Sequence, residues 1–463
     1  MQPVTAALSF DISGSTSRDR LFADLRHTEF ARLDADNQAY LDFTGSALYA
    51  RRQIVAHSAR LERSVLGNPH SENGPSLVST AIINAAKRKL LRFVDAPDDE
   101  YVVIFTANTS AAIRLVAESY PFGRHAGLVL SADNHNSMNG VREFARAKGA
   151  AVRYIPLDAE LKLTGVKRAL GEMKGEDGGL FGFPAQSNFS GVKHPLSLIA
   201  EAQAMDYAVL LDAAAFLPTN PLSLRRHPAD FVALSMYKIT GYPTGVGALI
   251  ARRSSLSRLK RPWFAGGTVE YASVQHGSHR LTDRNGEGFE DGTPAFIDIA
   301  AVSDGLDFIG EVGLDRIGSH VSHHRERFAS RLRQLKNRAG KALVRIYGPS
   351  RSDICGATVA FNLVAPDGRP IPFAPVVERA RNEGVSLRGG CFCNPGASEA
   401  AFGFPAEATR RCLDGARADA FSIPRFSQCL GPDIAVGAVR ASMGIATDDR
   451  DVERALAVIS TFR

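Results

Sequence analysis

Lys238 closes the run Phe231-Val232-Ala233-Leu234-Ser235-Met236-Tyr237-Lys238, where an apolar strand passes into a polar loop followed by Gly241 and Gly245. Burial at a strand end disfavours the ammonium form and makes the amine a nucleophile toward carbonyl carbon. Taken alone, such a lysine reads more readily as a surface residue of a hairpin loop. Its companions change the reading. Asp212 ends the apolar run Tyr207-Ala208-Val209-Leu210-Leu211, and a carboxylate there is costly unless a cationic group meets it. By itself Asp212 reads equally as the cap of a helix beginning at Ala213. Thr106-Ala107-Asn108-Thr109-Ser110 follows another strand and opens a helix, so Thr109 and Ser110 stand where an anion is readily held, or where a helix is simply capped. Ser235 and Tyr237, on the lysine loop, can reach the same anion. A nucleophilic lysine, a carboxylate for a cationic ring nitrogen and a phosphate seat fit pyridoxal phosphate (PLP), an aldehyde cofactor that a lysine anchors covalently. No GxGxxG or Walker loop occurs, which disfavours a nucleotide.

Further residues extend the constellation. His135, in Asp133-Asn134-His135-Asn136-Ser137, can stack on a flat ring and move protons near neutral pH; an ordinary loop histidine is the plainer reading. Asn188 can donate to a phenolic oxygen, or serve as a turn residue. Arg440, in Val439-Arg440-Ala441-Ser442, carries a planar fork suited to a carboxylate, although a salt bridge to a neighbouring helix explains it as well. Cys393 lies in Arg388-Gly389-Gly390-Cys391-Phe392-Cys393-Asn394-Pro395-Gly396, a loop composition that favours exposure, and Arg388 nearby favours a thiolate. Cys-x-Cys with no histidine or third cysteine close by is a poor zinc motif, so no metal is expected.

The elements that must position these groups alternate. Strands are expected at 101–105, 127–130, 151–155, 179–183, 208–211, 231–234 and 247–251, with helices between them at 77–92, 110–118, 138–148 and 196–206. This pattern implies an α/β domain whose mostly parallel sheet is covered by helices on both faces. From about residue 297 a long helical region gives way to strands at 343–347, 357–363 and 384–387 and a closing helix at 449–461, a smaller α+β domain. The expected organisation is an N-terminal arm over 1–35, a large domain over 36–296 and a small domain over 297–463 carrying the Cys393 loop and Arg440.

Composition sets the class. The 463 residues are 44% hydrophobic and 22% charged with a net charge of +6, the balance of an ordinary globular protein rather than a nucleic-acid binder. The basic clusters Lys87-Arg88-Lys89, Arg252-Arg253 and 323–338 read as solvated helix faces. Five cysteines, an odd and low number, argue against a disulfide framework, and Cys355, Cys412 and Cys429 read as structural. No signal-peptide pattern or membrane-length apolar run is present, so the expected compartment is the cytoplasm.

Several motifs together resemble the class V branch of fold-type I PLP transferases, and within it the cysteine desulfurases and the desulfurase-like domain of eukaryotic molybdenum cofactor sulfurases. They are Tyr40-Leu41-Asp42-Phe43-Thr44-Gly45, Gly67-Asn68-Pro69-His70-Ser71, Phe183-Pro184-Ala185-Gln186-Ser187-Asn188-Phe189-Ser190-Gly191, Tyr237-Lys238-Ile239-Thr240-Gly241-Tyr242-Pro243-Thr244-Gly245, Phe264-Ala265-Gly266-Gly267-Thr268-Val269, Phe289-Glu290-Asp291-Gly292-Thr293 and Gly390-Cys391-Phe392-Cys393-Asn394-Pro395-Gly396-Ala397. The resemblance implies that Lys238 holds PLP, with Asp212 on the ring nitrogen, His135 against the ring and Asn188 on its hydroxyl. Thr109, Ser110, Ser235 and Tyr237 would take the phosphate, and Thr268 would reach the cofactor of a second subunit in a homodimer. Arg440, with Arg388, would bind the substrate L-cysteine, Arg440 gripping its carboxylate, and Cys393 would carry a persulfide bound for a sulfur acceptor that the sequence does not name. Ser398 stands where the sulfurase pattern continues to another cysteine, and Ala215 where many desulfurases have glutamine. The sequence ends at Arg463, before the domain that handles the molybdenum cofactor in eukaryotic sulfurases, so sulfur mobilisation is expected rather than that acceptor. The alternatives are another class V reaction (β-lyase, epimerase or aminotransferase) with Cys393 a bystander, and a non-catalytic scaffold.

Overall fold

The computed structural model describes residues 15–463 except Asp283, Ser352 and 415–420. Seven strands form the large sheet: β1 (Tyr101–Thr106), β2 (Gly127–Ser131), β3 (Val152–Ile155), β4 (Gly179–Pro184), β5 (Tyr207–Asp212), β6 (Phe231–Ser235) and β7 (Gly247–Arg252). Their order across the sheet is β1-β7-β6-β5-β4-β2-β3, and β7 runs antiparallel to both neighbours while the remaining pairs are parallel. All seven expected strands are present. Strand side chains alternate with period two, and here the alternation separates two cores. Val103, Phe105, Phe181, Phe183, Val209 and Leu211 face one layer with Leu90 and Leu91 of helix Gly74–Phe93. Val102, Ile104, Leu180, Ala208 and Leu210 face the other with Ile113 and Val116 of helix Thr109–Ser119. Each large side chain fully buried in these layers contributes roughly 1.5–3 kcal/mol.

The second sheet is built on β8 (Val344–Tyr347), β9 (Thr358–Val364), β10 (Arg388–Gly390) and β11 (Ala438–Ser442), in the order β8-β9-β11-β10 with antiparallel pairing, and the short strand Pro370–Ile371 adds antiparallel to the end of β9. Its core draws on the start of the chain. Phe22, Leu25, Phe30, Leu33 and Leu41 pack with Phe328, Phe361, Val439 and Leu456. Ala39–Tyr40 pairs in parallel with Val385–Ser386, and the buried Arg26 guanidinium donates to Asp451 at 2.7 Å and to the Ala446 carbonyl at 2.6 Å. Segments up to Ala50 thus contribute to the C-terminal core as well as lying beyond the arm end placed at residue 35.

Three expectations about charges and cysteines are corrected. Lys87 is not on a solvated face: it is buried and paired with buried Glu290 at 2.9 Å, because its helix position points it toward the segment before residue 296. His324 and Arg325 are likewise buried. Cys412 and Cys429 are not isolated; they form a disulfide joining helices Ala406–Asp414 and Ile423–Leu430, whose facing turns bring the Cα atoms to 5.9 Å. Among the described residues no helix is long and apolar enough to cross a membrane.

Candidate active site

The parallel strands end on a common edge, and a cavity of about 200 Å³ opens there. Its wall includes Thr109, Ser110, His135, Asn188, Asp212, Ser235, Tyr237 and Lys238, so eight of the expected site residues converge from five separate segments. Asp212 ends β5 and is buried, with Oδ1 accepting from the Ala214 amide at 3.0 Å. That bond uses one lone-pair direction and leaves the carboxylate able to meet a ring cation. Lys238 lies one turn beyond β6 in helix Met236–Ile239. Burial pushes its ammonium pKa down, Asp212 opposes that shift, and Arg440 and Arg388 add to it.

The hydroxyl groups cluster opposite. The Ser235 hydroxyl accepts from the Thr109 amide at 2.8 Å and lies 2.6 Å from the Thr109 hydroxyl, while the Ser110 and Ser137 hydroxyls are 2.5 Å apart. They gather at the N-terminus of helix Thr109–Ser119, capped by Asn108, where helix and amide dipoles favour an anion. Gly247 permits this approach: a Cβ there would sit 2.5 Å from the Cα and carbonyl carbon of Asn108.

His135 caps the short helix Asn136–Asn139, and its Nδ1 accepts from the Ser137 amide at 3.1 Å. An amide can only donate, so the neutral ring carries its proton on Nε2. Burial lowers the pKa, with Asp212 opposing, and keeps the ring neutral at physiological pH. Below it, buried Asp133 accepts from Ser131 at 3.0 Å and pairs with buried His194 at 2.8 Å, which fixes the loop carrying His135.

The Cys393 loop is tied to this wall. Phe392 and Cys393 both have φ of +56°, a left-handed conformation that costs of order 1–3 kcal/mol for each such residue. It is maintained by external bonds: Asn188 Nδ2 donates to the Phe392 carbonyl at 2.7 Å, and the Asn136 amide donates to the Cys393 carbonyl at 2.7 Å. Asn394, fully buried, donates to the Asp133 carbonyl at 2.6 Å and to Asn188 Oδ1 at 2.9 Å, and caps helix Pro395–Phe402. Cys393 itself is exposed.

The remaining expected residues already have partners within the chain. Asn188 lines the cavity, but one of its two N–H groups is spent on the Phe392 carbonyl, so a single one remains for a ring hydroxyl. Arg388, expected beside the thiolate and the substrate, has its fork on Asp42 instead, with Nε at 3.0 and 2.9 Å from the two oxygens and Nη2 at 2.6 Å from Oδ2. Thr268 lines no part of this cavity; its hydroxyl donates to the Ala265 carbonyl at 2.8 Å and closes that turn. Arg440 is buried on β11 and holds Asp42 at 2.9 Å and the Asn188 carbonyl at 2.9 Å.

Four residues escaped sequence reading. Asn394 had a signal, since asparagine before Pro395-Gly396 marks a helix start. Asp42 is a carboxylate two residues beyond the short strand Ala39–Tyr40, bridged to Ser442. Ser137 and buried Gln186 also line the cavity, and nothing in their local sequence distinguishes them.

Comparison with known proteins agrees with this geometry. A family model described as Aminotransferase class-V matches residues 39–455, and the chain belongs to that family. It is similar to molybdenum cofactor sulfurases: 35% identical over 408 residues to that of Solanum lycopersicum, covering 81% of this chain and 49% of the relative. With the Drosophila melanogaster sulfurase it is 34% identical over 470 residues, covering 93% and 58%. The chain therefore spans about half to three-fifths of the length of these relatives. Among solved structures, the apo cysteine desulfurase of Thermococcus onnurineus NA1 superposes with a TM-score of 0.78 at 23% identity, covering 95% of this chain and 97% of that one. The cysteine desulfurase CsdA of Escherichia coli gives 0.74 at 19%, covering 97% and 98%. The fold is that of these enzymes, as the motifs led one to expect.

Proposed function

We infer that the chain is a PLP-dependent, cysteine desulfurase-like sulfurtransferase that moves the sulfur of L-cysteine onto Cys393 as a persulfide and releases alanine. The observation that carries this reading is the convergence of Lys238, Asp212 and the hydroxyl cluster in one cavity, with the Cys393 loop bonded to its wall through Asn188 and Asn394. The donor set fits PLP: an amine made nucleophilic by burial, a buried carboxylate for the ring nitrogen, and Thr109, Ser110, Ser235 and Tyr237 for the phosphate. Bound there, PLP supplies an electron sink that makes the substrate's α-proton removable and its Cβ–S bond weak.

The chain's own groups do the rest. Lys238 would anchor the cofactor and serve as the base for the α-proton; burial favours its neutral amine over the ammonium. Asp212 keeps the ring nitrogen cationic. His135, neutral with its proton on Nε2, is a donor toward the cavity. Arg440 orients the substrate carboxylate. Cys393 attacks the substrate sulfur as a thiolate, so one S–S bond forms and one C–S bond breaks; the proton lost by the thiol ends on the alanine product. The molybdenum cofactor named by the relatives is one candidate acceptor of the persulfide sulfur, and Thr268 is assigned to a second subunit's site in a homodimer.

Mass spectrometry after exposure to L-cysteine tests the reading. One added sulfur located on Cys393, alanine released in parallel and loss of both in Cys393→Ser are expected. Full-rate sulfide release by Cys393→Ala with a thiol reductant would overturn the role of Cys393.

A further inference from the structure

Arg388 and Arg440 are direct cross-strand partners in the β10–β11 pair. Like charges at such positions repel unless an anion lies between them. Asp42 is that anion. Its two oxygens receive three contacts from Arg388, at 2.6–3.0 Å, and one from Arg440, at 2.9 Å. Gly45 leaves the room: a Cβ there would meet Arg388 Nη2 at 2.5 Å and the Asp42 oxygens at 2.6 and 2.8 Å. Two guanidinium groups thus share one carboxylate, and one positive charge is left over.

The two arginines are unequal. Arg388 is half exposed, and water can hold its charge. Arg440 is 2% exposed, with Phe392 covering its guanidinium at 4.7 Å. Its Nη1 donates to the Asn188 carbonyl, its Nη2 to Asp42, and its Nε is buried without a partner. A buried guanidinium with an unmet N–H has capacity for a further acceptor. Arg440 cannot release Asp42 without a replacement anion, whereas Asp42 can release Arg440 because Arg388 still holds it through three contacts.

We propose that Asp42 is a resident carboxylate occupying the seat of the substrate's carboxylate, and that binding is a hand-over in which the incoming carboxylate takes Arg440 while Arg388 retains Asp42. The proposal rests on the reading of Arg440 as the substrate's anchor. Asp42 then sets affinity for amino acids by competing with them. Arg388 is a positioning residue: it never touches substrate, yet it draws Asp42 aside.

The test compares two thioethers whose sulfur cannot be transferred, S-methyl-L-cysteine and S-methylcysteamine, which differ in the carboxylate alone. Each is titrated into holoenzyme and followed by the absorbance of the cofactor. Asp42→Asn should tighten S-methyl-L-cysteine about tenfold, the worth of one competing charge-assisted hydrogen bond, and should also make millimolar acetate inhibit its binding. Arg388→Ala, an exposed change that spares folding, should weaken S-methyl-L-cysteine by a similar factor. Neither variant should move S-methylcysteamine more than about twofold. Weaker or unchanged binding of S-methyl-L-cysteine to Asp42→Asn, or equal shifts for both ligands in Arg388→Ala, would overturn the hand-over while leaving the parent reading intact. Wild-type holoenzyme that responds to neither ligand would overturn both.

Discussion

Replacing Asn394 by alanine removes the knot between three loops. The side chain gives hydrogen bonds to the Asp133 carbonyl and to Asn188 Oδ1, and accepts one from the Ala397 amide as a helix cap. Each buried bond is worth about 1 kcal/mol net, and the cap about 1 kcal/mol. The sum, about 3 kcal/mol, is the stability that holds residues 391–398 against the His135 loop. At 1.4 kcal/mol per factor of ten, local opening becomes roughly 100-fold more frequent. Hydrogen exchange reads this directly at the amides of Asn136, Asn394 and Ala397, all of which are bonded within the knot. The large-sheet strands, such as β5, should keep their protection, since the hydrogen bonds of the Asn394 side chain go to Asp133, Asn188 and Ala397 rather than to a strand. Unchanged exchange at 133–139 and 391–398, or uniform loss across the chain, would refute the assignment of Asn394 as the local tie.

Further outcomes follow from burial and charge. Lys87→Met strands Glu290, whose carboxyl burial already pushes up, and should cost about 3–5 kcal/mol; Lys87→Met with Glu290→Leu should recover most of it in thermal denaturation. His324 titrates at about 4 in the fold because burial disfavours its charged form. The unfolded chain takes that proton near pH 6.5, so folding stability should be complete above roughly pH 6.5 and fall as pH drops toward 4, by on the order of 3 kcal/mol. His324→Gln should flatten that part of a denaturant-midpoint profile. Gly247→Ala should displace the Asn108–Thr109 turn, releasing cofactor on dialysis and lowering turnover about 100-fold, while β1 and β7 remain paired.

Much of this was legible in the chain. The seven strands of the large sheet announce themselves as apolar runs ended by glycine, proline or polar residues, because both faces of a parallel sheet are buried. Lys238, Asp212, Thr109, Ser110 and Ser235 could be found because each follows such a run, and strand ends are where open sheets hold ligands. What stayed hidden depends on contacts between distant segments. Nothing local to Arg388 says that it faces Arg440 across a strand pair, nor that Asp42, some 346 residues earlier, lies between them. Lys87 looked solvated because a run of basic residues on a helix usually is; Glu290, its partner, sits 203 residues away. Asn188 reads as a cofactor donor because it follows an apolar strand, and the Phe392 carbonyl that claims one of its N–H groups lies 204 residues later.

The bonding of Arg26 to Asp451 spans 425 positions, and the core that holds Phe22 and Leu25 is completed by residues as late as Leu456 and Ile459. At ribosomal speeds of about 5–20 residues per second, Arg26 waits roughly 20–90 s after it emerges before Asp451 can meet it. Synthesis therefore includes an interval in which this helix lacks part of its native cover, and a holdase that shields it should raise the yield of folded chain.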